Sequence, residues 1–133
     1  MPKIVIQEQK VQPIPNEFLV TINFDGEDEF GDLTIYNPLS EENRQKLEWH
    51  FEQYVSHPYL NNVEPEEVAN IIKDAGEKLF NQLFSKAKIY NRYRQVVEGG
   101  IENLVFEISG SPEFHSIHWE SLKDPELPKP FAL

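Results

Sequence analysis

Cysteine is absent from this chain of 133 residues. Its absence excludes disulfide bonds, cysteine-ligated metal sites and a cysteine nucleophile within these residues, and it fits a reducing compartment. Long apolar runs are lacking too, since no stretch approaches the roughly 20 residues that span a bilayer. The N-terminal sequence MPKIVIQEQK has one short apolar run broken by Gln and Glu, which is not the pattern of a signal peptide. We therefore expect a soluble, cytoplasmic protein.

Positive charge is scarce. Lys and Arg number 12 against 23 Asp and Glu, which leaves a net charge of -11. An acidic chain repels phosphate backbones and anionic lipid headgroups, so we expect neither nucleic acid nor a membrane as partner. The hydrophobic fraction of 39% and the aromatic fraction of 12% are nevertheless those of a folded protein.

Motifs for nucleophilic catalysis or phosphate binding are also missing. The chain has 6 glycines, and none of them forms a phosphate-binding glycine loop. Ser109, Ser111 and Ser116 do not lie in a nucleophile elbow of the G-x-S-x-G type. The sequence contains no complete catalytic constellation, and we expect no cofactor.

The N-terminal residues 1–36 predict a small antiparallel element. Residues 18–24, FLVTINF, and 33–36, LTIY, are rich in β-branched and aromatic residues and predict two strands. Residues 25–32, DGEDEFGD, predict an acidic turn between them. A calcium loop is the alternative, but the alternating ligands and closing Glu of an EF-hand are missing, so a solvated turn is favoured.

Residues 37–133 predict helices followed by a buried strand. Ser40 is an expected N-cap of the first helix, which His57-Pro58 would end, and Pro65 suits the first turn of the second helix. Residues 86–97 predict a shorter third helix, and residues 101–109, IENLVFEIS, a buried strand. The apolar faces of the first two helices are formed by Leu47, Phe51, Tyr54 and Val55, and by Val68, Ile71, Ile72, Ala75, Leu79, Leu83 and Phe84.

The sequence HSIHWE at 115–120 concentrates chemically active side chains. His115 and His118 have a spacing that suits zinc on a helix, but on a helix Glu120 would point elsewhere. This is not the zincin motif, and neither His50 nor His57 is placed nearby by the sequence. We expect no metal site here, with a small metal hydrolase as the outlying alternative.

The basic residues Lys86, Lys88, Arg92 and Arg94 alternate with Tyr90 and Tyr93. Basic and aromatic residues together can bind single-stranded nucleic acid. Because the whole chain is acidic, we interpret this cluster as a solvated helix face that neutralises the acidic helices.

At residues 118–122 the chain reads HWESL. This segment and several others within residues 40–133 resemble the CHAT family of bacterial caspase-like proteins, a peptidase group of clan CD type. Residues 118–122, HWESL, are similar to its Pro-Trp-Glu-Leu-Leu phrase, with His and Ser replacing Pro and one Leu. Residues 47–54 resemble its amphipathic helix, and residues 104–108 fall where its first core strand lies. The residues that carry the resemblance most clearly are Trp119, Glu120, Leu122, Asp124, Pro125, Gly76, Leu79 and Phe80.

The resemblance implies a structural role for this chain. The catalytic His and Cys of the family lie on later strands, and neither can be placed on this sequence. The chain would then be an N-terminal scaffolding part of an incomplete caspase-like domain, with the remainder of that domain or another chain as partner. In this reading HSIHWE is a structural turn in which Trp119 packs into the core and Glu120 bonds to nearby backbone.

The fold class we predict is α/β, with a short N-terminal antiparallel β element, two to three helices, and a buried strand belonging to a caspase-like sheet. The alternative function is a stand-alone protein–protein interaction module. The C-terminal residues Phe131 and Leu133 distinguish the two readings. A self-contained module buries them within itself, whereas a fragment leaves them exposed or paired with another chain.

Overall fold

The predicted α/β fold class is confirmed by a computed structural model, which describes residues 3–9, 17–56, 65–98, 100, 104–128 and 131. In these ranges the strands are β1 (Lys3–Glu8), β2 (Glu17–Phe24), β3 (Asp28–Tyr36) and β4 (Val105–Ser109). The helices are α1 (Glu41–Ser56), α2 (Pro65–Leu83), α3 (Ala87–Val97) and the single turn α4 (Pro112–His115), which precedes a 3₁₀ turn at Trp119–Ser121. None of these helices is long and apolar enough to cross a membrane.

The four strands form one mixed sheet in the order β3-β2-β1-β4. Antiparallel pairing joins β1 to β2 and β2 to β3, so the predicted N-terminal antiparallel element is confirmed. On the other side of β1, strand β4 runs parallel to it, with Lys3 opposite Val105. The sheet therefore combines strands from both ends of the chain.

Strand β3 begins at Asp28, although the sequence predicted its start at Leu33. The turn is confined to residues 25–27, and Asp25 and Gly26 adopt positive φ angles of 55° and 74°. Strand β3 contains one extra residue between the pairs Ile22–Phe30 and Val20–Leu33, with Asp32 at φ 57°. Such a bulge allows Gly and Asp residues, which are typical of turns, to lie within a strand.

The apolar sequence of β4 predicted a strand buried on both faces, but only one of its faces is buried. Phe106 is buried, whereas Val105 and Glu107 on the other face are exposed. The strand is the last in the sheet order among the described residues, and one of its faces points to solvent. The apolar run in the sequence therefore predicted more burial than β4 has, because alternate residues of a strand face opposite sides of the sheet.

One face of the sheet packs against α2 and α3. The apolar surface buried between the sheet and these helices is the main source of stability, because each Å² removed from water contributes roughly 25 cal/mol. The aromatic rings of Phe80, Phe84 and Tyr93 pack against one another, with centroids 4.7–5.1 Å apart. The main core is completed by Ile4, Ile6, Val20, Ile22, Phe24, Leu33, Ile35, Leu79, Leu83, Ile89, Val96, Leu104, Phe106, Phe114, Ile117, Trp119, Leu122 and Phe131.

Helix α1 packs against α2 through a second, smaller cluster of Leu39, Leu47, Val68 and Ala75. The predicted N-cap is confirmed, because the Ser40 hydroxyl accepts a hydrogen bond of 3.1 Å from the Asn43 backbone N–H. The predicted stop at 57–58 lies outside the described residues. The prediction that α2 begins at Pro65 is confirmed.

The outer edge of β3 is protected at Tyr36, whose backbone groups hydrogen-bond to a side chain of α2. The side-chain amide of Gln82 on α2 accepts from the Tyr36 N–H at 2.5 Å and donates to the Tyr36 carbonyl at 3.0 Å. The amide thus occupies the backbone groups that a further strand would use at this position. Protecting a sheet edge in this way reduces edge-to-edge association.

Of the basic residues of α3, Arg92 pairs with the β2–β3 hairpin and Arg94 with Glu126, and among the described residues neither pairs with the acidic helices. Arg92 Nε donates to Asp28 Oδ2 at 2.6 Å, and its guanidinium lies 5.7 Å from the centre of the Phe24 ring. Arg94 lies 3.7 Å from Glu126, beyond the 3₁₀ turn. Because Arg92 already binds an acid of the predicted turn, the interpretation of that turn as solvated rather than calcium-binding is strengthened.

Candidate functional site: a cavity beside the His118–Glu120 pair

The segment HSIHWE folds as two short turns around a buried indole. Ser111 caps α4 by accepting from the Phe114 N–H at 3.2 Å. Trp119 is buried, its Nε1–H donates to the Phe114 carbonyl at 2.9 Å, and the two rings lie 5.1 Å apart. The predicted inward packing of Trp119 is confirmed, and its indole N–H has the partner that burial requires.

Gly76 places α2 directly against the backbone of this turn. A Cβ atom at Gly76 would lie 1.8 Å from the Ser121 carbonyl oxygen and 2.7 Å from its carbonyl carbon. The Lys123 N–H also donates to the Gly76 carbonyl at 3.3 Å. Only a residue without a side chain permits this approach, so Gly76 determines how close the turn lies to the helix.

A buried hydrogen bond joins α3 to the residues after the turn. The Tyr93 hydroxyl donates to Asp124 Oδ2 at 2.7 Å, and Asp124 Oδ1 accepts from the Glu126 N–H at 2.9 Å. Burial of Tyr93 and the carboxylate beside it raise the pKa of its phenol well above the usual value. The phenol therefore stays protonated in the folded protein and remains a donor to Asp124.

Alkaline pH should reduce the stabilising effect of Tyr93. Its pKa is raised in the folded state, whereas the unfolded phenol ionises near pH 10. The stabilisation is complete below pH 10 and is lost as pH rises towards the folded pKa. We expect the difference in free energy of unfolding between wild type and Tyr93→Phe to fall by about 1.4 kcal/mol per pH unit above pH 10. Urea unfolding of both proteins between pH 8 and pH 11 measures this difference, and a constant difference would contradict the prediction.

Beside the turn lies a cavity of ≈ 220 Å³, between α1, α2 and the 3₁₀ turn. Its apolar wall consists of side chains from the segment before α1, from α1 and from α2, and its polar rim belongs to the turn. The lining residues are Leu39, Leu47, Ile72, Ala75, His118, Glu120 and Ser121. A dry cavity of about 150 Å³ can hold benzene, so this one is large enough for a single ring or one branched side chain.

The polar rim of the cavity is ordered by short contacts. His118 Nδ1 lies 2.8 Å from Glu120 Oε1, so a neutral imidazole that donates from Nδ1 keeps Nε2 as an acceptor. On a continuous helix Glu120 would point away from His118, but the segment is a 3₁₀ turn, which brings the two side chains together. The predicted bond from Glu120 to backbone is replaced by this contact with the imidazole.

The other polar side chains near the rim bond to backbone or face solvent. The Ser121 hydroxyl donates to the His118 carbonyl at 2.6 Å and is therefore directed to backbone, not to the imidazole. His115 is exposed at the end of α4, and within the described ranges no group of three or more His, Asp or Glu side chains is placed to hold a metal ion. The side chain of His50 and the whole of His57 lie outside the described part.

Sequence reasoning did not identify the cavity. Ala75-Gly76 in the middle of α2 was a usable signal, because two small residues in a helix often mark a close approach of another segment. Lys123 was missed as well: its side chain is only 6% exposed, and Nζ lies 3.5 Å from Glu77 Oε1. No local pattern indicates that this lysine is buried.

The residues that carried the family resemblance occupy different environments. Leu79, Phe80, Trp119 and Leu122 belong to the main core, and Gly76 and Asp124 make the backbone contact and the buried hydrogen bond given above. Glu120 and Pro125 are exposed. The structure thus brings most of these residues together around the turn, while their family assignment stays a prediction. No protein-family model, no curated protein and no solved structure matches the sequence.

Proposed function

We propose that this chain is a protein–protein interaction module whose cavity receives one apolar side chain of a partner. The observation that carries the proposal is the cavity itself, with apolar walls and a polar rim formed by His118 and Glu120. Pockets for drug-sized ligands are typically 300–1,000 Å³, whereas ≈ 220 Å³ suits a single side chain. Interfaces obtain much of their affinity from a few such side chains placed in well-packed pockets.

The environment of Phe131 supports a self-contained module. Its side chain is 9% exposed, and its ring lies 4.8 Å from Phe106 and 6.2 Å from Tyr93, centre to centre. Its N–H donates to the Leu122 carbonyl at 2.9 Å. Burial at this position is what a module predicts, while Leu133 lies outside the described residues.

A second candidate function is the scaffolding role in a CHAT-type caspase-like domain. The observation that favours it is β4, which pairs with β1 on one side and is last in the described sheet order. Val105 on this strand is 40% exposed, so a further strand and its covering elements would bury it. Reading the gene beyond Leu133 tests this role: a frame that continues into strands bearing a His and a Cys supports it, and an immediate stop codon contradicts it.

Filling the cavity provides the test of the interaction module. Ala75→Leu places a larger apolar side chain into the space, so we expect the free energy of unfolding to rise by about 1 kcal/mol. The neutral probes N-acetyl-leucinamide and N-acetyl-phenylalaninamide should shift the backbone amide resonances of Ile72, Ala75 and His118 in the wild-type protein. They should leave the Ala75→Leu spectrum unchanged.

The matched control is Ala87→Leu, since Ala87 is exposed at the start of α3 and is not among the cavity-lining residues. This variant should bind the probes as the wild type does. Equal binding by Ala75→Leu and wild type, or absence of binding by the wild type at millimolar probe, would overturn the proposal.

A further inference from the structure

The polar side chains of the cavity lining have already used their own hydrogens. Of the lining residues that the structure describes, these are His118, Glu120 and Ser121. His118 Nδ1 lies 2.8 Å from Glu120 Oε1, so the one N–H of a neutral imidazole is directed to this carboxylate. The Ser121 hydroxyl donates to the His118 carbonyl at 2.6 Å. A carboxylate has no hydrogen to donate, so what these three side chains still offer to a ligand are acceptors.

The three acceptors lie at different depths. Ser121 is buried, the His118 side chain is 38% exposed and the Glu120 side chain is 73% exposed. Water reaches the Glu120 carboxylate and can satisfy it whether or not a ligand is bound. The imidazole, at the intermediate depth, loses water to a ligand that fills the cavity, and an acceptor left without a partner costs free energy. A ligand that brings a donor to Nε2 avoids this cost.

The size and walls of the cavity select the side chain that carries the donor. Tyr and Trp combine an apolar ring with one polar hydrogen. A cavity of about 150 Å³ holds benzene, and one water molecule occupies about 30 Å³ of liquid. The volume of ≈ 220 Å³ therefore accommodates a single ring with a hydroxyl, whereas the indole of Trp has a second ring.

We propose that the partner side chain received by the cavity is a tyrosine, whose hydroxyl donates to His118 Nε2. This inference rests on the proposed interaction module and names the residue type that the module recognises. The side chains of Leu39, Leu47 and Ala75 line the space for the phenol ring. Glu120 is a positioning residue, because its carboxylate holds the imidazole hydrogen on Nδ1 and so keeps Nε2 as the acceptor.

Two probes of nearly equal size test for the hydrogen bond. N-acetyl-tyrosinamide carries the hydroxyl, whereas N-acetyl-para-fluorophenylalaninamide has fluorine in its place and no hydrogen to donate. NMR titrations at about pH 8, where histidine side chains are ordinarily neutral, measure both dissociation constants. We expect the wild-type protein to bind the tyrosine probe about threefold to tenfold more tightly, which is the range of one hydrogen bond. N-acetyl-tryptophanamide should bind more weakly than the tyrosine probe.

His118→Phe is the decisive variant, because it keeps a ring at this position and removes the acceptor. It should bind the fluorinated probe as the wild type does and lose the preference for tyrosine. The matched control is His115→Phe, at an exposed position outside the cavity lining, which should keep the full preference. Glu120→Ala keeps the acceptor but not the group that orients it, so its preference should lie between those of wild type and His118→Phe.

Nitrogen NMR spectra of the protein with labelled histidine give a readout that is independent of affinity. In the wild type under the same conditions, the ring hydrogen of His118 should be on Nδ1, and the tyrosine probe should shift the Nε2 resonance. A hydrogen found on Nε2 would overturn the proposal, since that nitrogen could not then accept.

The outcomes separate this inference from the proposed function. Equal binding of the tyrosine and fluorinated probes, both lost in Ala75→Leu, would overturn the hydrogen bond and leave the apolar cavity as the binding site. A preference for tyrosine that persists in His118→Phe would overturn the assignment to His118, and tighter binding of the tryptophan probe would overturn the assignment to tyrosine. Failure of every probe, the leucine and phenylalanine amides included, to bind the wild-type protein would overturn both proposals.

Discussion

Trp119→Ala should lower the free energy of unfolding by about 3–5 kcal/mol, the largest loss that we expect from a single substitution. The indole is 5% exposed, packs 5.1 Å from the Phe114 ring and donates to the Phe114 carbonyl. Its removal leaves a cavity in the main core and takes one hydrogen bond from the Phe114 carbonyl, which keeps a bond of 3.3 Å from the Ile117 N–H. Both losses destabilise the fold. Urea unfolding followed by far-ultraviolet circular dichroism measures the loss.

Trp49→Ala is the control for Trp119→Ala, because Trp49 on α1 is only partly buried. It should cost clearly less than Trp119→Ala. The variant Trp119→Phe should fall between Trp119→Ala and wild type, since it keeps a ring but loses the Nε1–H donor. A loss below about 1 kcal/mol in Trp119→Ala would show that the turn does not depend on this side chain.

Gly76→Ala should destabilise the protein by about 3 kcal/mol, even though Ala is the better helix former. The new Cβ would lie 1.8 Å from the Ser121 carbonyl oxygen. The obstacle is backbone and not a flexible side chain, so either α2 or the turn has to move. We expect a lower urea midpoint with an unchanged slope, and weaker probe binding because the cavity between helix and turn is deformed.

Gly31→Ala is the matched control for Gly76→Ala. A Cβ at Gly31 in β3 meets only the Gln9 side-chain amide at 3.4 Å, which can move aside. Its effect on the free energy of unfolding should stay within about 0.5 kcal/mol. If both glycine variants have equally small effects, the close contact between α2 and Ser121 is not maintained in solution.

Local signals in the sequence predicted the helices well. Ser40 caps α1, Pro65 begins α2, and the apolar stripe of α2 includes the buried Leu79 and Leu83. Each signal depends on residues within one or two helical turns, so it can be recognised from the sequence alone. The predicted start of β3 and the predicted burial of β4 on both faces were wrong, because a bulge and a position in the sheet depend on the partner strands.

The candidate site was much less predictable than the fold. HSIHWE attracted attention for its two imidazoles, yet the cavity beside it is built mainly by Leu39, Leu47 and Ala75, which look like ordinary core residues in sequence. They come from three segments that only the packing of α1 on α2 brings together. Charge patterns failed for a similar reason: Arg92 binds Asp28 at a separation of 64 residues.

The parallel pairing of β1 with β4 has a consequence for synthesis on the ribosome. Lys3 pairs with Val105, about 100 residues later, so the sheet cannot be completed until nearly the whole described chain has emerged. Until then β1 has a partner only in β2, and the buried side chains of Phe106 and Trp119 are not yet available to the core. Pairing over so long a separation slows folding, because loop closure precedes the contacts that reward it. The nascent hairpins β1–β2–β3 therefore expose an apolar face until β4 and the helices have been synthesised, and such exposed surface is prone to aggregation.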